Sequence, residues 1–156
     1  MKDNIKVAYL TLTRFEHSGG GQGILRYVNE LYKNMTALQP KYGISIEKRI
    51  TKPVKVFGEG LSLEFNSVFT SFERYDILHN PIGTFPLHGL NKTKYIVTLH
   101  DLNTRMKGIK GWLWNSLVYR RGLAYSINNA DAIIVNSSQT MKEVLGKGGK
   151  KIRYLS

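Results

Sequence analysis

The sequence predicts an α/β domain built on a doubly wound, mostly parallel sheet with helices on both faces. Three observations predict it. Short apolar runs rich in β-branched residues alternate along the chain with segments of helical periodicity, and parallel neighbours need crossover connections that helices normally supply. Four glycines, Gly19, Gly20, Gly21 and Gly23, stand between the first apolar run and the first helical segment. Polar residues gather just after the runs, at the strand ends where open α/β sheets bind ligands: Thr11 and Thr13, Asn80, His100 with Asp101, and Asn136 with Ser137.

Ile5 to Thr11 (IKVAYLT) is nearly continuous in apolar residues, too short for a helix and suited to a strand buried on both faces. Past the glycines, Ile24, Val28, Leu31 and Met35 recur at helical spacing, and Leu25 and Tyr32 flank them. The spacing predicts a helix of about four turns closed by Pro40. Ile44 to Ile50 alternates apolar with polar and reads as a second strand, with Lys55 to Phe57 a short further one. Leu63 to Phe72 is weakly periodic and reads as a helix, although its aromatic content also suits a strand.

"YDILHNP" and "KYIVTLHD" are short strand-like runs, the second ending at His100 and Asp101. Gly111 to Asn129 carries the apolar residues of a buried helix, "ADAIIVNSS" is a further inner strand, residues 138 to 146 fit a short helix ended by Gly146 and Gly148, and "KIRYLS" begins a last strand. There is no internal repeat, low-complexity tract or linker, and residues 1–156 read as one domain.

Composition narrows the function classes. No apolar run is long enough to cross a bilayer, and Val7 to Leu12 is only about half a signal-peptide core and lacks a cleavage site. The absence of cysteine excludes disulfides, thiolate metal sites and cysteine nucleophiles, and the expected location is the cytoplasm. A formal charge of +12 attracts phosphates, nucleic acid or an anionic membrane leaflet without choosing among them, and serves equally as a solvated basic surface.

A glycine loop between a first strand and a first helix offers free N–H groups at the positive end of a helix dipole, which favours phosphate. The nucleoside triphosphatase loop needs Gly-Lys-Ser/Thr entering the helix, and here the residues are Gly23-Ile24-Leu25. The dinucleotide fingerprint fits its first two glycines but finds Ile24 or Arg26 at the third; Glu47 lies at the spacing of a ribose-binding acid and keeps a nicotinamide-dependent dehydrogenase open.

Taken in order, "IKVAYLT…GGGQG…RYVNELYKNM", "YDILHNP", "KYIVTLHDL" and "ADAIIVNSSQTMKEV" resemble the amino-terminal domain of the retaining GT-B glycosyltransferases, the glycosyltransferase group 1 family. The resemblance implies a Rossmann-like, mainly acceptor-binding domain, working with a second domain that binds most of a nucleoside diphosphate sugar. It implies that N–H groups around Gly20 and Gly21, with Gly23 nearby, face the donor diphosphate, and that His100 lies against the transferred sugar as the catalytic candidate. Thr13, Asp101, Arg105 and Ser137 complete the substrate-binding candidates; Asp101 also suits a turn cap and Ser137 a helix cap. In the family a glycine pair often stands four and three residues before the Arg of "RYV", where this chain has Gln22 and Gly23.

The family's Glu-x7-Glu motif is missing, since Glu64 and Glu73 are nine apart, so the donor-binding domain is expected to lie outside this chain and the chain alone to be inactive. The expected partners are a nucleoside diphosphate sugar and an unidentified hydroxyl acceptor, with peripheral contact at an anionic membrane; no metal, no cofactor and no nucleic acid is expected. A non-enzymatic alternative is a basic docking module using Lys107, Lys110, Trp112, Trp114, Arg120 and Arg121.

Overall fold

In the computed structural model, residues 4–12, 22–51, 72–82, 92–102, 120–149 and 152–154 are described. Their strands are β1 (Ile5–Leu12), β2 (Ile44–Thr51), β3 (Ile77–Asn80), β4 (Lys94–Leu99), β5 (Ala132–Val135) and β6 (Ile152–Tyr154). Their helices are α1 (Gln22–Tyr42), α2 (Arg120–Asn129) and α3 (Ser138–Gly146). The six strands form one sheet in the order β2-β1-β3-β4-β5-β6, every pair parallel. This is the Rossmann-like, doubly wound α/β fold. After α1 the chain steps outward from β1 to β2, and then returns across β1 to build β3 through β6 in the other direction. Because parallel crossovers are right-handed, opposite steps put helices on opposite faces.

Strand register assigns the faces. Tyr9 pairs with His79, which pairs with Ile96, so these side chains share a face with Thr11 and Thr98. That face belongs to α1: the Tyr9 hydroxyl donates to the Val28 carbonyl over 2.7 Å, and the Tyr9 ring lies 5.3 Å from that of Tyr32. The opposite face carries Ala8, Leu10, Leu78, Tyr95, Val97, Leu99, Ile133 and Val135, all buried against Leu123 and Ile127 of α2 and Val144 of α3. Each such fully buried aliphatic side chain contributes about 1.5–3 kcal/mol relative to exposure. Coverage on the α1 face thins toward β5, where Ile96, Ala132 and Ile134 are only half-buried.

Proline does not close the first helix. α1 runs 21 residues with Pro40 inside it, against the four-turn helix expected from the periodicity. Proline removes the main-chain donor that would reach the carbonyl four residues back, and the Gln39 side-chain amide takes that place, donating to Thr36 O over 3.2 Å. Gln39 Oε1 in turn accepts from the main-chain N–H of Ile46 in β2 over 2.8 Å, fixing the helix end to the edge of the sheet. The helix stops at Gly43, whose φ of 61° lies in the left-handed region open to glycine.

At the amino rim of the sheet, two aspartates start strands. Asp76 Oδ2 accepts from Lys6 N over 2.7 Å, and Asp131 Oδ2 accepts from Tyr95 N over 3.0 Å. The expected strand at Lys55–Phe57 and all of the expected helix from Leu63 except Phe72, which is buried, lie outside the described residues; the helix expected from Gly111 is described from Arg120 onward. Among the described residues no helix is long and apolar enough to cross a membrane.

Candidate functional site at the carboxyl rim

The strand order reverses between β1 and β3, and in open α/β sheets ligands bind outside the carboxyl ends at such a point. The residues around it here are aromatic and imidazole side chains joined through hydroxyls. His79, at the third position of β3, is buried, and its Nε2 lies 3.2 Å from Thr98 Oγ1 on β4. The Tyr27 hydroxyl of α1 meets the same Thr98 oxygen at 3.4 Å. Burial lowers the His79 pKa to about 4 and raises that of Tyr27, so both are neutral near pH 7. His79 packs edge-on against Tyr9, with centroids 5.4 Å apart.

His100 follows β4 directly and is held from four sides. Its Nε2 lies 2.7 Å from the carbonyl oxygen of Pro81, just past β3. Its Nδ1 lies 3.2 Å from Asn136 Nδ2, just past β5. Its own carbonyl accepts from the Thr140 hydroxyl of α3 over 3.2 Å, and its ring meets Tyr27 edge-on at 4.8 Å. A carbonyl can only accept, so Nε2 carries the proton and donates to Pro81, while Nδ1 accepts from the Asn136 amide. Burial pulls the His100 pKa below its ordinary value, and the bond to Pro81, which favours the proton, opposes that only in part.

Ser137 caps α3: its Oγ accepts from Thr140 N over 3.0 Å in extended backbone geometry. The cap places Thr140 so that its hydroxyl reaches His100, and thus Ser137 and His100 belong to one network. Gly23, in the first turn of α1, is exposed and has nothing among the described residues within 4 Å of where a Cβ would stand. Close packing on the sheet is therefore not what glycine provides there. Asp101 and Arg26 are exposed. Gly20, Gly21, Thr13 and Arg105 lie outside the described residues.

One buried side-chain polar group at this rim is unsatisfied among the described residues. Thr11, next to the end of β1 on the α1 face, is 1% exposed, and its hydroxyl has no hydrogen-bond partner among the described residues. No known family, no curated protein and no solved structure matches the chain. What the rim can do chemically therefore rests on its own contacts.

Glu47 is the residue most displaced from expectation. It stands mid-strand in β2 and turns to the amino side, where Arg74 Nη2 donates to both its oxygens at 2.9 and 3.2 Å and the Tyr75 hydroxyl donates at 2.6 Å. Those partners, led by the Tyr75 hydroxyl, hold its pKa below the ordinary carboxylate value, and it is not at the carboxyl rim where a ribose would lie. With Lys6 and Ser45 the group lines a cavity of about 230 Å³ in which Glu47 offsets one of two cations, Lys6 and Arg74. Among the described residues no three His, Cys, Asp or Glu side chains are grouped to hold a metal ion.

Sequence reading missed Tyr27, Thr98, Pro81 and Thr140. Tyr27 and Thr98 look like ordinary face residues of a helix and a strand, and Pro81 contributes only through its main chain. Asn136 carried a signal, as His100 and Ser137 did, by following a buried run as a polar residue.

Proposed function

We propose that the chain is the acceptor-side, Rossmann-like domain of a retaining GT-B glycosyltransferase, which transfers a sugar from a nucleoside diphosphate sugar to an acceptor hydroxyl. One observation carries this: the amino-terminal half of α1 and His100 share the carboxyl rim at the strand-order reversal and touch through the Tyr27 ring. A diphosphate leaving group gathers negative charge as the glycosidic bond breaks, and a helix start supplies preorganised N–H groups where that charge develops. The first turn of α1 contains no acidic side chain to oppose it. The Thr11 hydroxyl, buried at the same rim without a partner among the described residues, is a group that a polar ligand would satisfy.

His100, neutral and held by two hydrogen bonds, orients and polarises rather than carrying charge into the sugar site. The acceptor remains a hydroxyl of unspecified origin, and peripheral attachment to an anionic membrane is compatible with the charge of +12.

The test is an NMR titration of the chain with UDP-, GDP- and ADP-hexoses. Amide shifts confined to the first turn of α1, Thr11 and the segment around His100 are expected. Shifts confined to the amino rim, or none at millimolar nucleotide sugar, would overturn the proposal. Equal response to NAD would favour a dehydrogenase instead, although Glu47 does not reach the rim.

A further inference from the structure

Resting on the transferase reading above, we propose that Asn136 is the positioning residue of His100: its amide, donating to Nδ1 from the end of β5, joins the Pro81 carbonyl in holding the imidazole as the Nε2–H tautomer and reserves Nδ1 as the hydrogen-bond acceptor on the exposed side of the ring. With the Asn136 amide as it stands, a neutral ring satisfies both contacts in one way. Pro81 O and His100 Nε2 are 2.7 Å apart, and a carbonyl has no proton to give, so the proton belongs to Nε2. A neutral imidazole then has a lone pair on Nδ1, and Asn136 Nδ2 meets it at 3.2 Å. The other tautomer sets a lone pair against the lone pairs of Pro81 and loses that bond, and it keeps the Asn136 contact only by turning the amide over to present Oδ1.

The two anchors differ in what a ligand can do to them. The Pro81 carbonyl is main chain held by the end of β3 and its bond is half-buried, whereas the Asn136 bond is exposed and depends on a side chain that can rotate away. An incoming sugar or acceptor hydroxyl therefore displaces the Asn136 amide and donates to Nδ1 in its place. The neighbouring residues do not compete for that nitrogen: Ser137 is used by the α3 cap, and the Thr140 hydroxyl goes to the His100 main chain. The Tyr27 ring closes the remaining side at 4.8 Å and resists rotation of the imidazole.

The experiment is imidazole ¹H–¹⁵N multiple-bond NMR of the ligand-free chain near pH 7.5, with His100 assigned by its loss in His100→Gln. The wild type is expected to show the Nε2–H pattern. Asn136→Ala, at an exposed position and with unchanged far-UV circular dichroism, is expected to keep the proton on Nε2, where Pro81 holds it, and to shift the resonance of the unprotonated Nδ1, which has lost its amide donor. Asn136→Asp, which can only accept, is expected to draw a proton onto Nδ1 and show a ring protonated at both nitrogens. A wild-type ring with the proton on Nδ1, or an Asn136→Ala spectrum identical to wild type, overturns the proposal. No ligand is involved, so this failure is separate from failure of the nucleotide-sugar titration.

Discussion

The ring of Tyr27 meets the imidazole of His100 edge-on, with centroids 4.8 Å apart and planes at 83°, and so ties the second turn of α1 to the residue after β4. Burial is the leading cause of the lowered His100 pKa, and the Tyr27 ring is part of what buries it. Tyr27→Ala removes that cover, lets water stabilise the cation and raises the His100 pKa toward about 6.5. Among the described residues, the groups bonded to the ring that remain, the Pro81 carbonyl and the Asn136 amide, carry no charge to reverse the direction. An NMR titration of the ring checks it. The stability cost should be roughly 2 kcal/mol, below the 3–5 kcal/mol of a fully buried aromatic, because Tyr27 is half-buried; Tyr27→Phe should restore most of it.

His79 makes the fold acid-sensitive. Its folded pKa of about 4 lies below its unfolded value, so between those values the unfolded chain binds a proton that the native one refuses. Stability is fully present above about pH 7 and is lost as pH falls, by about 2 kcal/mol between pH 7 and pH 5 for a group shifted by roughly 2.5 units. His100, shifted in the same direction, adds to the loss. Urea unfolding at the two pH values should show this drop in wild type and a much smaller one in His79→Gln, which is neutral throughout and can still bond Thr98.

The Thr11 hydroxyl is buried without a partner among the described residues, which costs stability in the ligand-free state. Replacing it with a methyl of similar shape removes the unmet demand, so Thr11→Val should raise stability by about 1 kcal/mol. If the hydroxyl serves a ligand as proposed, the same variant should bind nucleotide sugar more weakly. A gain in stability with unchanged shifts in the titration would confine Thr11 to a structural role.

The parallel sheet was legible because most of its strands, from IKVAYLT to ADAIIV, are nearly continuous apolar runs separated by spans long enough for a crossover. His100 and Asn136 stood out for a related reason, as polar residues directly after such runs. The clasp itself was not legible: Pro81 contributes a main-chain oxygen, and the partners of His100 lie 19 and 36 residues away in sequence, brought together only by strand order. Glu47 misled through spacing, since the count from the glycines is right for a ribose acid while Arg74 and Tyr75 hold the side chain at the other rim. Pro40 misled because the rule that proline ends a helix assumes the freed carbonyl stays unpaired.

That exception is testable in its own right. Gln39 makes two bonds, one to Thr36 O, where the main-chain donor of residue 40 is missing, and one from the N–H of Ile46. Gln39→Ala should therefore cost roughly 1–2 kcal/mol, since a typical net hydrogen bond contributes about 1 kcal/mol. Pro40→Ala supplies a main-chain N–H that takes Thr36 O directly, which leaves Gln39 responsible only for Ile46. In that background Gln39→Ala should cost about half as much, and the non-additivity across the four proteins isolates the substitution of side chain for main chain. Equal costs in both backgrounds, measured by urea unfolding, would show that the Gln39 amide contributes nothing at Thr36 and that α1 passes through Pro40 on the strength of its packing against β2 alone.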